Sequence, residues 1–130
     1  MEYPLDELLD KRSIIQLKIE RIEGDFLEKE SLKREFSDYT NAIKEYINKR
    51  VCTDEEVNEW HKQLYEINEK IWDLESDIRK GKEGELGLEE VGRRAIKIRE
   101  TNGKRVKIKS SIVEKTGRGY KDIKINHASS

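Results

Sequence analysis

The sequence predicts an all-α protein, built as an elongated antiparallel helical bundle that resembles a coiled coil. Apolar residues recur at helical spacing in four segments, and only one proline is present in 130 residues. Charged residues make up 42% and apolar residues 34%, which is typical of narrow apolar stripes on otherwise charged helices. We expect one bundle domain over residues 1–116 and an arm or tail over residues 117–130.

The first two predicted helices are separated by Gly24 and Asp25. The stripe of the first helix, over residues 4–23, consists of Leu5, Leu8, Ile15, Ile19 and Ile22. Asp25 is placed to cap the second helix, with Glu28 as its reciprocal partner. The face of the second helix consists of Leu32, Phe36, Tyr39, Ile43 and Tyr46.

The third predicted helix begins at a capping box, Thr53-Asp54-Glu55-Glu56, and is expected to end near Lys80. Its heptad seam consists of Val57, Trp60, Leu64, Ile67, Ile71, Leu74 and Ile78. A second stripe lies beside that seam and consists of His61, Tyr65, Asn68, Trp72, Glu75 and Arg79. Because so wide an arc indicates contacts on more than one side, we expect this helix to be the central one.

Residues 88–115 fit two structures. A seam from Leu88 onward predicts a helix, whereas the Asn102-Gly103 turn signal predicts a hairpin in which Ile98 pairs with Val106. Periodicity alone leaves both open. The alternation over residues 120–125 predicts an extended arm or a short strand, and residues 127–130 are expected to fray.

Charge is distributed unevenly along the chain. Residues 1–92 hold 15 Lys/Arg against 25 Asp/Glu, whereas residues 93–124 hold 12 against 3. This asymmetry predicts that the basic segment docks on the acidic helices, within one chain or between subunits. Binding of nucleic acid through residues 93–124 is an alternative, but a phosphate-binding face needs uncompensated Lys and Arg.

Several function classes lack a signal in this sequence. Cys52 is the only cysteine, and neither a secretory signal nor 18 consecutive apolar residues occur, so we expect a cytoplasmic protein without a membrane partner. No cofactor motif and no catalytic Ser/His/Asp or Cys/His set can be assembled. His61 has no ligand at metal spacing, which favours a half-buried structural histidine. The acidic ladder Glu66, Glu69, Asp73 and Asp77 is interpreted as a solvated face.

Three stretches together carry a family resemblance: LLDKRSIIQLKIERI (8–22), INEKIWDLESDIR (67–79) and RETNGKRVKIKSSI (99–112). They resemble a family of small helical proteins and domains of unassigned function, found in bacteria and tailed bacteriophages. Its members similarly show a leading LLDK, an IWD or LWD helix ending in IR, and TN followed by Arg and a later Lys. Residues 24–56 show no likeness to it.

The resemblance implies a helical fold and no particular reaction. It favours a helix rather than a hairpin over residues 88–115, and it implies a bacterial or phage-infected cell as the setting. Gly103 stands where the family usually carries Asp. A glycine within the helix costs about 1 kcal/mol relative to alanine, which leaves room for a kink there.

The candidate site consists of polar residues in or beside the helix seams, largely the polar positions of those three stretches. They are Asp10, Lys11, Lys18 and Arg21 on the first helix, Asn68, Trp72, Glu75 and Arg79 on the third, and Asn102, Arg105 and Lys109 on the last. Because an unpaired buried charge costs several kcal/mol, these groups must meet each other, another subunit or an anionic ligand, unless the long side chains reach outward to water.

Two interpretations of that cluster follow. In the first, the charges pair in a network that fixes helix register or oligomeric state. In the second, Arg79, Arg105 and Lys109 hold a phosphate or carboxylate in a pocket while Glu75 acts as acid or base. We therefore favour a non-catalytic interaction or assembly protein that forms a homo-oligomer, most simply a dimer. The alternatives are a small enzyme or binding protein for an anionic metabolite, and a nucleic-acid-binding protein.

Overall fold

The computed structural model of the protein describes residues 3–82 and 87–129, with side chains for residues 3–79 and 87–117. Four helices follow one another: α1 (Leu5–Arg21), α2 (Phe26–Asn48), α3 (Asp54–Lys82) and α4 (Leu88–Ser129). Those residues contain no strand. The all-α prediction is therefore confirmed, and Asn102 and Gly103 lie within α4 rather than in a hairpin turn.

The central helix is α1, because it packs against each of the other three. Buried side chains lie on almost every side of this helix. They include four leucines and the polar residues Asp6, Asp10, Arg12 and Ser13. As the wide arc predicted, α3 is contacted on more than one side, by α1 and by α4, but the central position belongs to α1. Several polar members of the second α3 stripe turn toward α1, where Asn68, His61 and Tyr65 form hydrogen bonds with it.

Asp25 caps α2 as predicted, and α3 begins at the predicted capping box. The Glu28 backbone N–H donates to Asp25 Oδ1 at 2.8 Å, while the Glu28 carboxylate lies against Gly24. In the box that opens α3, the Glu56 N–H donates to Thr53 Oγ1 at 3.2 Å, and the Thr53 N–H donates back to Glu56 Oε1 at 3.1 Å. Both contacts of this capping box are therefore formed.

A Schellman motif ends α2. The Arg50 N–H donates to the Ile47 carbonyl and the Val51 N–H donates to the Tyr46 carbonyl, each at 3.0 Å. Arg50 takes the left-handed conformation that this motif requires, with φ 61°. The exposed end of α2 is thereby joined to α3 through a reversal of five residues, 49–53.

The apolar core lies around the first half of α1. It is formed by residues from all four helices and from the turn before α3: Leu5, Leu8, Leu9, Ile43, Tyr46, Cys52, Val57, Trp60, Leu64 and Ile112. Farther along α1, toward Arg21, charged and polar side chains provide many of the contacts between helices. The candidate site begins at the border between these two regions, at Asp10.

The last helix is longer than predicted: α4 continues past Gly117 and ends at Ser129. The expected extended arm over residues 120–125 was wrong. A helix that is already nucleated gains one hydrogen bond for each residue added, and this offsets the cost of about 1 kcal/mol per glycine. Gly103 lies on an open side of α4, where no heavy atom is within 4 Å of an added Cβ.

Candidate functional site

The carboxylate of Asp10 is the centre of a buried polar network. Its Oδ1 accepts hydrogen bonds from Asn68 Nδ2 at 2.9 Å and from Arg105 Nε at 3.0 Å, and its Oδ2 pairs with Arg105 Nη2. Lys109 Nζ lies 3.8 Å from the same Oδ2. Asp10 is only 2% exposed, so protein donors and not water solvate its charge.

A second set of contacts extends this network across three helices. Asn68 Nδ2 also donates to Ser13 Oγ at 2.8 Å, which ties α3 to α1. Lys109 Nζ donates to Glu7 Oε1 at 2.7 Å, which ties α4 to α1 one turn before Asp10. Arg105 Nη1 donates to Asn102 Oδ1 at 3.1 Å within α4. We call Glu7, Asp10, Ser13, Asn68, Asn102, Arg105 and Lys109 the Asp10 network.

The Asp10 network holds its carboxylate ionised. Burial raises the pKa of Asp10, but the hydrogen bonds from Arg105 and Asn68 and the charges of Arg105 and Lys109 outweigh burial, so the pKa falls below its usual value. The hydrogen bond to Asp10 likewise raises the pKa of Arg105, against the desolvation that lowers it. A pair held so firmly in its charged form is poorly suited to exchanging a proton near neutral pH.

Beside the Asp10 network, a groove of about 660 Å³ opens between α1, α3 and α4. Its apolar lining consists of Ile14, Leu17, Ile71, Trp72, Ala95 and Ile98, and its polar lining of Asn68, Glu75, Arg99, Asn102 and Arg105. Glu75 and Arg99 are both exposed, and neither has an ion-pair partner among the described side chains. The groove thus combines an apolar surface with one free charge of each sign.

The structure brings together seven of the eleven candidate residues. Asp10, Asn68, Asn102, Arg105 and Lys109 belong to the Asp10 network, and Trp72 and Glu75 line the groove next to it. The other four lie elsewhere. Arg21 pairs with Glu69 at 2.9 Å and with Asp73, while Lys11 stands 5.3 Å from the centre of the Tyr3 ring. Lys18 and Arg79 are exposed.

Sequence reasoning missed Glu7, Ser13 and Arg99. A local signal existed for Glu7 and Ser13, since each lies three residues from Asp10 and therefore shares its helix face. Arg99 belongs to the stretch that carries the TN motif, yet nothing in its spacing distinguishes it from the other basic residues of α4. Its position on the groove becomes visible only once α1, α3 and α4 are assembled.

The acidic ladder of α3 is the predicted solvated face only in part: Glu66 and Asp73 are exposed, whereas Glu69 and Asp77 are half-buried. Glu69 and Asp73 pair with Arg21 of α1, and Asp77 pairs with Arg94 of α4 at 2.5 Å. Because α3 is flanked by α1 on one side and α4 on the other, Glu69, Asp73 and Asp77 form ion pairs that the prediction of a solvated face did not include. They stabilise the packing of helices where the apolar core is thin.

A second polar cluster surrounds Arg12, which is 8% exposed. Arg12 Nε donates to His61 Nδ1 at 3.1 Å, Nη1 donates to Thr40 Oγ1 at 3.2 Å, and the guanidinium lies 5.5 Å from the centre of the Phe36 ring. Because arginine only donates, His61 Nδ1 accepts, and the proton on Nε2 points to Gln16 Oε1 at 2.6 Å.

This environment keeps His61 neutral. Burial, and next to it the positive charge of Arg12, lower the pKa of His61 to about 4. The prediction of a half-buried structural histidine is confirmed by these contacts. Burial, together with the nearby Glu56 and Asp54 carboxylates, raises the pKa of the Cys52 thiol to about 11, so this thiol is a poor nucleophile near neutral pH.

The basic segment docks on the acidic helices within one chain, as one form of the prediction had it. Its ion pairs to other helices join Arg94 to Asp77, Arg105 to Asp10, Lys109 to Glu7 and Lys115 to Glu56. Lys97, Lys104 and Lys107 are exposed on the other side of α4. Much of the positive charge in residues 93–117 is therefore compensated.

No group of three His, Cys, Asp or Glu side chains in the described residues is arranged to hold a metal ion. No helix in that part of the chain has the length and apolar character needed to cross a bilayer. In comparisons with known proteins, no family model, no curated protein and no solved structure matches this chain.

Proposed function

We propose that the chain is a non-catalytic interaction and assembly protein. In this proposal the Asp10 network fixes the positions of α1, α3 and α4, and the groove beside it receives a protein partner. The observation that carries the proposal is the closure of the network, since Asp10 is bonded by Asn68 and by two nitrogens of Arg105. Such a network specifies one arrangement of helices, which a preformed docking surface requires.

The shape of the groove supports a protein partner. A volume of about 660 Å³ would hold a small molecule, but the groove is an open trench along the helices and does not enclose its contents. Exposed apolar side chains continue beyond it on α4, with Leu88 91% and Val106 52% exposed. An apolar trench with apolar neighbours is typical of a surface that binds the apolar face of a helix.

Anionic-metabolite binding is the alternative, and one observation favours it. Arg99 and Arg105 line the same groove as Trp72, so two guanidinium groups and an aromatic ring lie around one cavity. Arg105, however, donates hydrogen bonds from three of its nitrogens to Asp10 and Asn102. Arg79 and Lys109, the other two cations expected there, do not line the groove. Arg99 is thus the one groove cation left to meet an anion among the described residues.

Titration with inorganic phosphate and with citrate, followed through tryptophan fluorescence, distinguishes the two functions. Trp72 lines the groove, whereas Trp60 belongs to the core. The assembly proposal predicts no saturable change beyond that of sodium chloride at equal ionic strength. A saturable change that is lost in Arg99→Ala but kept in the matched variant Lys104→Ala would refute the proposal in favour of the metabolite-binding alternative.

Three further expectations remain proposals. Nucleic-acid binding has less support, because much of the basic charge is already paired with carboxylates. A cytoplasmic setting is supported by Cys52, a buried free thiol that needs no oxidising compartment. The resemblance to small bacterial and phage helical proteins stays a prediction.

A further inference from the structure

A second heptad seam runs along the side of α4 that borders the groove. It consists of Leu88, Gly92, Ala95, Arg99, Asn102 and Val106, and the intervals alternate between four and three residues. All six residues are exposed. The seam that faces α1 and α3 is a different one and includes Ile98, Arg105 and Ile112. The outer seam therefore has the spacing of a helix-pairing surface, and its residues are left exposed by the described part of the chain.

This outer seam is symmetric about position 97. If α4 pairs with α4 of a second copy in antiparallel orientation about that position, Leu88 lies opposite Val106 of the other copy. Gly92 then lies opposite Asn102, and Ala95 lies opposite Arg99. Each apolar end residue meets an apolar one, and each small residue meets a longer polar one. A two-fold interface requires such self-complementarity, because the same surface contributes both sides.

The charges of Glu75 and Arg99 favour the same antiparallel register, centred on position 97. Ala95 and Glu75 line one groove, so the register that places a second copy's Arg99 beside Ala95 brings its guanidinium toward Glu75. Neither Glu75 nor Arg99 has an ion-pair partner among the described side chains of a single copy. The two-fold axis would form this pair twice. The partner helix would also cover the apolar groove residues Ile71 and Trp72.

We propose that the groove is occupied by α4 of a second copy of this chain, in an antiparallel two-fold dimer centred on position 97. This inference rests on the proposed assembly function and names its partner. The dimer places Glu75 of each copy against Arg99 of the other. It would remove from water the apolar groove lining and the exposed ends of the seam, Leu88 and Val106.

Sedimentation equilibrium on the full chain tests the proposal through a charge swap. The wild-type chain is expected to sediment with twice its mass of 15.4 kDa. Arg99→Glu alone sets carboxylate against carboxylate at both pairs, and Glu75→Arg alone sets guanidinium against guanidinium. Each should raise the dimer dissociation constant on the order of 30-fold. The double variant restores both pairs with reversed sign and should return to within about threefold of wild type.

The matched control is Lys104→Glu, which makes the same charge change on the opposite side of α4, away from the seam. It should leave the dissociation constant unchanged, and circular dichroism should show equal helix content in all variants. A monomeric wild type at tens of micromolar, or single variants that dimerise like Lys104→Glu, would overturn the dimer. Both results are independent of the phosphate titration, which tests the assembly function separately.

Discussion

At the scale of single residues, the positions of protons follow from which groups lie beside each side chain. His61 accepts a hydrogen bond from the buried Arg12, so the folded protein disfavours a second positive charge on the His61 ring. Asp10 is in the opposite situation, because Arg105 and Asn68 stabilise its negative charge. These two sites therefore respond to acid in different pH ranges.

His61 makes the stability of the fold depend on pH. Its pKa is about 4 in the folded chain and 6.5 in the unfolded chain, so between these values the unfolded state binds more protons. The stability that the neutral His61 contributes is thus fully present above pH 6.5, and it is lost as the pH drops toward 4. Allowing for solvent screening of a half-buried ring, we expect the loss to be about 2 kcal/mol.

Urea unfolding at pH 7 and pH 4.5 measures this loss, with His61→Gln as the comparison because glutamine does not titrate. The decline between the two pH values should be smaller in His61→Gln than in wild type by most of that amount. Asp10 does not interfere, since the stability due to its lowered pKa is lost only below its unfolded value of 3.8. Equal declines in the two proteins would show that His61 is not held neutral.

At the scale of helices, the ends of α2 and α3 are governed by local backbone chemistry. The φ of 61° at Arg50 has a steric cost, and glycine at this position would avoid that cost. Glycine also loses more conformational entropy on folding, so the net gain is smaller than the steric cost. We expect Arg50→Gly to raise the free energy of unfolding by roughly 0.5–1 kcal/mol in urea titrations.

The control for this turn is Lys44→Gly, an exposed position inside α2 where glycine should cost roughly 1 kcal/mol. Opposite signs for the two glycine substitutions are the expected result. If Arg50→Gly destabilises as Lys44→Gly does, then Arg50 does not hold the left-handed position at the end of α2.

The capping box of α3 provides another helix-scale prediction. Thr53→Ala removes the acceptor for the Glu56 N–H, and it should lower the unfolding free energy by about 1 kcal/mol. Ser37→Ala, at an exposed position inside α2, removes a hydroxyl without a cap and should change it by less than about 0.5 kcal/mol. Thermal unfolding of both variants measures the difference, and equal melting temperatures would contradict the capping role.

Helix starts could be predicted from the sequence because their chemistry is local. Thr53 and Glu56 are three residues apart, as are Asp25 and Glu28, so one turn of chain contains the signal. The end of α4 was harder to predict, because Gly117 breaks no helix by itself and the extension of an existing helix leaves little pattern. The central position of α1 depends on how the longer helices enclose it, which periodicity does not report.

At the scale of the whole molecule, the candidate site shows the same limit. Charges in seam positions predicted that Asp10, Asn68 and Arg105 would need partners, and the fold makes them partners of one another. The groove was predictable only in part: Trp72, Glu75 and Arg105 were placed in the candidate site, whereas Arg99 looks like an ordinary surface charge in the sequence. Long-range pairing, such as that of Glu7 with Lys109, leaves no mark in local spacing.

The Asp10 network also explains how a chain with a thin core holds its longest helix. The apolar core surrounds the first half of α1, and the basic side chains of α4 reach carboxylates on α1 and α3. The pair between Asp10 and Arg105 is the most buried of these on its acidic side, where the Asp10 side chain is 3% exposed. We therefore expect it to stabilise the position of α4 more than the other ion pairs do.

A double-mutant cycle on this pair, measured as free energies of unfolding in urea, tests that dependence most directly. Asp10→Asn leaves Arg105 without its carboxylate, and we expect it to cost about 3 kcal/mol. Arg105→Gln should cost a similar amount, and the double variant should cost roughly 2 kcal/mol less than the two losses added. If the losses simply add, Asp10 and Arg105 do not hold α1 and α4 together.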